Sequence, residues 1–338
     1  MESESLKKRI YYSILGTALG DSIGLPFEGL SREKIAKKEP DFGSQSLIFG
    51  RGLISDDTEH TLIVAQALIE SYDDLATFKK RLRRRLQLWL LSLPAGVGFA
   101  TMRGIFKSFF TDNSGVFSAG NAPAMRSALL GIVFGADNNR LKKFVEANSK
   151  ITHTDPKAYF GALAVAKASY LSSISQEDRF FEEMRDLVAD SEFLELLSSV
   201  EQNLEIPTQE FAKKIGLERG VSGYIYQTLP IVIHSWLRNR ENLKKAIIDV
   251  VVCGGDTDTT GAIVGGIVGA KAKEPPKEWL DGFVEYPRNL KFVDEVSSKL
   301  ADIFTKKRAA KAPDIAYPLL LLRNIFFLIV ILIVAIKR

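Results

Sequence analysis

Two sets of glycines constrain the fold more than any other feature of this chain. Gly16, Gly20 and Gly24 are spaced four apart, and so are Gly261, Gly265 and Gly269. Residues four apart share one face of an α-helix. Each set therefore makes a smooth seam along which another backbone can approach closely. Such seams are best attested in membranes. Here each apolar run is too short to span a bilayer and carries acids at one end. Both read as buried helices of a soluble body, packed tightly behind a site.

Much of the remaining chain follows the same period. Candidate helices run from Leu6 to Leu19, Asp57 to Tyr72, Leu75 to Leu93, Val97 to Phe110, Ala122 to Phe134 and Asn139 to Lys150. Within the second, Leu62, Ala65, Leu68 and Ile69 recur at helical spacing. Pro156 suits the first position of a helix continuing through Ser172. Glu177 to Val200 reads as a charged, exposed helical region, and Pro207 to Ile215, Gly223 to Trp236 and Glu241 to Val252 follow. No alternating strand pattern and no βαβ rhythm interrupts the series. The expected fold is all-α, a single globular helical domain over residues 1–305, with a basic, proline-containing linker over 306–316 and an apolar segment over 317–338.

Composition agrees with a packed core, at 46% hydrophobic and 25% charged residues. The net charge is only +4 and no basic stripe is interleaved with aromatics, so nucleic acid is not the expected partner. Lys79 to Arg85 is a basic run inside a helical pattern and reads as a solvated face. Cys253 is the only cysteine, which excludes an intrachain disulfide and a cysteine metal cluster and fits a reducing compartment.

The apolar segment differs from the body. Tyr317 to Ile336 is 20 residues, nearly all apolar, which is the length a bilayer span needs. Arg323 and Asn324 interrupt its first half, where the arginine could snorkel toward the interface. Lys306, Lys307, Arg308 and Lys311 precede it, against Lys337 and Arg338 at its close, a bias that favours a body on the cytoplasmic side. The expectation is a C-terminal membrane anchor whose removal leaves a soluble, active body. An interfacial helix is the alternative, although Ile325 to Ile336 shows no polar face. At the other end, residues 1–9 are polar and Ile10 to Leu25 is broken by Gly and Asp, so this stretch does not read as a secretory leader.

The chemistry concentrates in three places. In Gly254 to Gly261, two carboxylates and three hydroxyls occupy five consecutive residues between glycines. Such oxygen-rich side chains suit a hard cation, or else cap a helix N-terminus. A calcium-hand loop is excluded, because its twelfth position needs a glutamate and holds Ile267 here. Ser55, Asp56, Asp57 and Thr58 form a second cluster at the head of a helix. Adjacent carboxylates repel unless a cation or a positive dipole is near. Four carboxylates with a few hydroxyls would suit one or two divalent ions that retain water. Glu28 lies on a Gly/Pro loop after the first glycine seam and is a candidate general acid/base, or an ordinary loop glutamate.

Five segments, Leu19 to Glu28, Ser55 to Thr58, Ser118 to Arg126, Ile151 to Pro156 and Gly254 to Gly261, stand in an order that resembles the ADP-ribosylglycohydrolases. That family includes dinitrogenase-reductase-activating glycohydrolase and crystallin-like proteins. The resemblance implies an all-α fold whose central cleft holds two magnesium ions, with manganese as a substitute. Ser55, Asp56 and Asp57 would form one side of the metal pair, and Asp256, Asp258 and Thr259 the other. The family more often has threonine where Ser55 stands, and serine keeps the hydroxyl. Glu28 and Asp57 are the implied catalytic carboxylates. Ser118, Gly120 and Asn121 match the segment that meets the phosphates of ADP-ribose, and His153 is either a substrate contact or a packed residue. Arg126 would add positive charge there or sit in a structural ion pair. His60 and His234 read as helix residues, Asp155 as an N-cap, Asp21 as an acid of unassigned role, and Thr257 and Thr260 as capping or packing residues.

The implied reaction is hydrolysis at C1 of the ribose, freeing ADP-ribose from a modified protein side chain or a small conjugate. Two rivals remain open at this level. One is a non-catalytic ADP-ribose-binding or structural, crystallin-like member tethered to a membrane. The other is a metal hydrolase acting on phosphoesters. Specificity is expected from the loops around Pro94 to Thr101 and Gly216 to Tyr226.

Overall fold

The computed structural model describes residues 2–336. Lys337 and Arg338, read above as the close of the apolar segment, lie outside the described residues. Eighteen α-helices follow one another: α1 (Glu2–Gly24), α2 (Arg32–Lys38), α3 (Asp56–Ser71), α4 (Leu75–Leu91), α5 (Phe99–Lys107), α6 (Ala122–Met125), α7 (Ala128–Phe134), α8 (Asn138–Lys150) and α9 (Pro156–Ser173) in the first half. The second half holds α10 (Phe180–Leu187), α11 (Ser191–Glu201), α12 (Thr208–Lys214), α13 (Ile225–Arg238), α14 (Leu243–Val251), α15 (Thr257–Gly269), α16 (Lys277–Asp281), α17 (Leu290–Lys306) and α18 (Tyr317–Ile336). Among the described residues the only β structure is a set of isolated bridges. The all-α expectation holds.

The two glycine seams pack against each other. A Cβ built on Gly16 would fall into the carbonyl of Gly265, one on Gly20 into that of Gly261, and one on Gly24 into that of Thr257. The numbering rises on α1 as it falls on α15, so the helices are antiparallel in direct backbone contact. Ser13 Oγ donates to Gly266 O at 2.8 Å and Thr257 Oγ1 donates to Gly24 O at 2.8 Å, pinning the register at both ends. Around this pair, α17 packs on α1 and α3, while α14 and α13 pack on α15. One continuous core results, including Ile14, Leu19, Leu68, Trp236 and Val264.

Several boundaries differ from the sequence reading. Ala122 to Phe134 is two helices, because the buried Arg126 and Ser127 break the run and hydrogen-bond to Asn148 and Pro123. Glu177 to Val200 is also divided. Asp190 caps a new helix by accepting from Phe193 N at 2.9 Å. That region is not simply exposed, since Phe180, Met184, Phe193 and Leu197 are buried.

The largest correction concerns α18. Phe327 and Val330 pack against Leu25, Leu47 and Leu53 of the body. Arg323 does not snorkel toward a surface. It is buried, with Nε 2.9 Å from Glu285 Oε1 and Nη2 2.7 Å from Glu285 Oε2. Asn324 is buried as well and donates to Ser92 O and Oγ, both at 2.9 Å. The outward face, with Leu322, Ile325, Phe326 and Ile329, is exposed.

The seam predicts a steep cost for added volume. In a helix, alanine is favoured over glycine by roughly 1 kcal/mol, but at Gly20 the new methyl meets backbone that cannot rotate away. Gly20→Ala is therefore expected to destabilise by about 3 kcal/mol, read from a urea or thermal midpoint. Gly98→Ala, whose methyl would meet only Thr101 at 3.8 Å, is expected to cost about 1 kcal/mol or less, the penalty of alanine at the N-cap of α5.

Candidate active site

The antiparallel seam brings the C-terminal end of α1 to the N-terminal end of α15. The loops that continue from these ends are hydrogen-bonded to one another. Gly29 N donates to Gly255 O and Gly255 N to Leu30 O, both at 2.8 Å. A third loop joins them, with Val221 N on Gly254 O at 2.9 Å and Asp256 N on Val221 O at 2.7 Å. Gly255 is required here twice over: its φ is +86°, and a Cβ would strike the Val221 carbonyl. Farther along, Asn121 N bonds Gly223 O at 2.9 Å and Ile225 N bonds Ala119 O at 2.9 Å. Val116 N and Thr154 N complete the edge, bonding Thr152 O and Val116 O.

These loops frame a cavity of about 530 Å³ lined by Glu28, Asp56, Gly120, Asn121, His153, Asp256, Asp258 and Thr259. Residues that the sequence marked only as candidate specificity loops line it too, namely Gly96, Gly98 to Thr101 and Val221 to Gly223. Ser118 is not in the wall; it lies behind Gly120, whose Cβ position is 3.7 Å from Ser118 Oγ.

Both acid clusters meet beside the cavity, with Asp56, Asp256, Asp258 and Thr259 in its lining and Ser55 and Asp57 buried outside it. Ser55 caps α3 by accepting from Asp57 N, and its Oγ lies 3.1 Å from Asp57 Oδ2. Thr259 Oγ1, from α15, donates to the same Asp57 oxygen at 3.2 Å. Asp57 Oδ1 is buried without a hydrogen-bond partner. Asp258 Oδ1 accepts from Thr259 N at 2.9 Å. Asp256 holds the N-cap position of α15 but its side chain makes no cap bond. Its Oδ2 instead accepts from Asn121 Nδ2 at 2.7 Å. The helix-cap reading thus describes Ser55 and not Asp256. Thr257 and Thr260 turn to backbone carbonyls, as packing residues do.

Asp21 is the residue whose part was not legible. It is fully buried on α1 and accepts from Ser55 N at 2.9 Å, Thr58 N at 3.2 Å and Thr58 Oγ1 at 2.6 Å. It therefore holds the head of α3 against the glycine seam. The only local signal was a lone acid between Gly20 and Gly24 in an otherwise apolar run.

Burial raises every one of these acids above the ordinary carboxylate range. Asp56, Asp57 and Asp258 are pushed well up, by burial first and then by neighbouring carboxylates. Asp21 is pushed up to about 7 by burial, against the opposing hydrogen bonds from Thr58 and Ser55. The N-termini of α3 and α15 both point at the cluster and offset part of this charge. An oxygen-only donor set, mutual repulsion and an unpartnered buried Asp57 oxygen fit a hard divalent cation. Among the described residues no three His, Cys, Asp or Glu side chains are drawn together to enclose an ion, so hydroxyls and water would complete any shell.

The remaining candidates separate clearly. His153 is buried at the wall, its Nδ1 2.9 Å from Thr152 Oγ1, and burial lowers it to about 3, so the ring is neutral. Arg126 is fully buried away from the cavity lining and forms no ion pair among the described residues. It bonds Asn148 Oδ1 at 2.8 Å, Thr152 Oγ1 at 2.8 Å and His60 Nδ1 at 3.0 Å. His60 packs edge-on to Trp89 at 4.2 Å, and His234 stacks on Phe211 at 4.4 Å. Asp155 caps α9 through Lys157 N. The backbone N–H of Asn121 is occupied by Gly223 and its amide by Asp256 and Thr228, so this residue orients Asp256.

The chain can be compared with known proteins on this footing. The family model described as ADP-ribosylglycohydrolase matches residues 2–313. ADP-ribosyl-[dinitrogen reductase] glycohydrolase of Rhodospirillum rubrum is 28% identical over 295 residues, covering 83% of this chain and 92% of that protein. ADP-ribosylhydrolase ARH3 of Gallus gallus is 26% identical, covering 79% of this chain and 86% of its own. A solved structure described as an ADP-ribosylglycohydrolase-related protein complex shares the fold with a TM-score of 0.63 at 22% identity, over 89% of this chain and 99% of that one.

The cluster's electrostatics set a pH dependence for the metal-free protein. An acid whose folded-state pKa is raised contributes stability that is full below the unfolded value, near 4, and lost as pH rises through the folded value. Asp21, at about 7, loses its share near neutrality. The buried histidines act oppositely: His153 at about 3 and His234 at about 4 add stability above their unfolded value of 6.5 that fades on acidification. His60 acts like the other two, its imidazole held well below the usual value by burial. The histidine gain is nearly complete by about pH 7.5, and above it the raised acids Asp56, Asp57 and Asp258 set the slope. In EDTA, stability is expected to fall from about pH 7.5 to about pH 9, seen as a decreasing melting temperature. A melting temperature that rises over the same window contradicts the assignment.

Proposed function

We propose, from the premise that the chain belongs to the ADP-ribosylglycohydrolase family, that it hydrolyses the glycosidic bond at C1 of an ADP-ribosyl group. The products are ADP-ribose and a freed protein side chain or small acceptor. Two magnesium ions, replaceable by manganese, would serve the reaction. The observation that carries this reading is the oxygen-only acid cluster: Asp56, Asp256 and Asp258 line one cavity with Glu28, and Asp57, buried beside them, keeps an unpartnered oxygen.

Ser55, Asp56 and Asp57 would hold one side of the metal pair, and Asp256, Asp258 and Thr259 the other. When bound, the ions would polarise ribose hydroxyls and a water molecule. The chain's own residues do the rest. Glu28 lines the cavity on a half-buried loop tied to Gly255, within reach of a substrate seated there. It accepts the proton of the attacking water as that oxygen bonds to C1. The C1–acceptor bond breaks with its electron pair going to the acceptor, which takes up the proton that Glu28 received, restoring the carboxylate. The carboxylates, Asp57 foremost, stabilise the positive charge that develops on the sugar. A Cβ on Gly120 would strike His153 Nε2, so this glycine lets the neutral imidazole stand in the wall, where it would offer a hydrogen bond to a phosphate.

Membrane association is the second element of the proposal. It is supported by the exposed apolar face of α18, a 20-residue helix of mean hydropathy 3.0 in its most apolar window. Were α18 to span a bilayer, the basic residues before it would favour a body on the cytoplasmic side.

The test is turnover of ADP-ribosyl-arginine and ADP-ribosyl-serine with and without magnesium, alongside calorimetric titration with ADP-ribose. Asp56→Ala and Asp256→Ala are expected to abolish metal-dependent turnover. Glu28→Gln is expected to lower kcat by about 100-fold or more while ADP-ribose still binds. Binding without turnover by the unmutated protein would favour a non-catalytic member, and release of phosphate or nucleotide a phosphoesterase. In flotation with anionic liposomes the full chain is expected to rise with the lipid; recovery entirely in the unbound fraction removes the membrane element.

A further inference from the structure

The family model ends at residue 313, yet a helix beyond it reaches the metal-ligand loop proposed above. We propose that Arg323 of α18 is a positioning residue for the acid cluster, so that the C-terminal helix is a working part of the site and not a detachable appendage. This rests on the hydrolase reading only for its kinetic consequence.

The geometry is a closed ring around the backbone of one residue, Ile54. Ile54 N–H donates to Glu285 Oε2 at 3.2 Å, and Ile54 O accepts from Arg323 Nη2 at 2.6 Å. Arg323 and Glu285 close the ring through two further bonds, at 2.9 and 2.7 Å. The next residue is Ser55, whose amide is held by Asp21 and whose hydroxyl meets Asp57. The backbone entering the cluster is thus fixed on one side by the Ile54 ring and on the other by Asp21.

A second arm of the same guanidinium reaches Glu59 Oε1 at 3.2 Å, on the first turn of α3. Glu59 is also held by Arg288 at 2.5 Å and by the Trp89 indole N–H. Only a planar fork can serve a carboxylate bidentately, a carbonyl and a second carboxylate together. All these groups are buried, so the orientation is not averaged by solvent. Asn324, bonded to Ser92, fixes the rotation of α18 that aims Arg323 inward.

Two consequences follow. The expectation that removing 317–338 leaves the active body intact is reversed, because Glu285 would lose the cation that neutralises it and Ile54 O its donor. And α18 cannot place Arg323 in a bilayer and on Ile54 at the same time.

The test uses the full chain carrying Arg323→Gln, Arg323→Lys, or the double change Arg323→Gln with Glu285→Gln. The double variant removes both buried charges and keeps hydrogen-bonding groups at both positions, which guards against a single variant that fails to fold. Three quantities are measured: amide hydrogen exchange in peptides covering 54–60, Mn²⁺ affinity by electron paramagnetic resonance, and kcat and KM on an ADP-ribosyl conjugate. Arg323→Gln and the double variant are expected to raise exchange at 54–60 while α1 and α15 stay protected. Mn²⁺ affinity falls at least tenfold, kcat falls more than KM changes, and Arg323→Lys recovers part of each. A folded variant with exchange at 54–60 and Mn²⁺ affinity within twofold of the unmutated chain overturns the proposal. If the unmutated chain hydrolyses no ADP-ribosyl conjugate, the hydrolase reading fails, while exchange at 54–60 still decides the positioning role.

Discussion

Direct backbone contact between α1 and α15 is the constraint from which the cavity follows. Because three glycines on each helix admit no side chain, the axes come close and the register is fixed in four-residue steps. The antiparallel sense then decides what lies at the shared end. The last glycine of one seam, Gly24, meets Thr257, the first residue of the other helix. The Glu28 loop, leaving α1, therefore runs beside the Gly254–Asp256 turn that enters α15, and the two bond through Gly29, Leu30 and Gly255. Residues more than 220 positions apart, Glu28 and Asp256, line one cavity without needing to contact each other directly.

Charge is distributed unevenly around that point. In front stand Asp56, Asp57, Asp256 and Asp258, all with raised affinity for protons. Behind stand Arg126, Arg288 and Arg323, all buried. These arginines do not neutralise the front. Arg126 bonds neutral groups, while Arg288 and Arg323 pair with Glu59 and Glu285. A buried cation paired to a different acid orders structure but leaves the facing carboxylates uncompensated. The dipoles of α3 and α15 help but are worth only about 1 kcal/mol each at this range. The folded protein thus carries an excess of negative charge in one place, which protons or a divalent cation can relieve.

What the sequence made legible were local signals. Adjacent acids at Asp56 and Asp57, or alternating acids at Asp256 and Asp258, are unusual within a few residues, and the glycine spacing is read within a dozen. The helix α17 buries Phe292, Val296, Leu300 and Ile303 at helical spacing but carries no such cluster. What stayed hidden depended on distance along the chain. Asp21 is 34 and 37 positions from Ser55 and Thr58, so a lone acid in an apolar run gave no hint of its partners. Arg323 is 38 positions from Glu285 and 264 from Glu59. Seen alone in an apolar stretch, it read as a charge to be carried by a bilayer's edge.

That misreading shows what α18 is as a physical object. By itself it has no polar residues beyond Tyr317 and the adjacent Arg323 and Asn324, so it does not resemble an amphipathic helix. Docked, it acquires one, because the body supplies Glu285, Ile54 and Ser92 to the buried side while Ile325, Phe326 and Ile329 stay outward. The amphipathic unit is the helix together with the body. If the protein meets a membrane with Arg323 in place, its axis must lie along the surface, since the body shields one side of the helix from Arg323 to Val330. Spanning instead would pull Arg323 from two carboxylates and leave Glu285 buried with only the Ile54 amide. Breaking a buried pair from one side is strongly unfavourable, by about 3–5 kcal/mol, so the docked, in-plane arrangement is the one that keeps both the apolar face and the site intact.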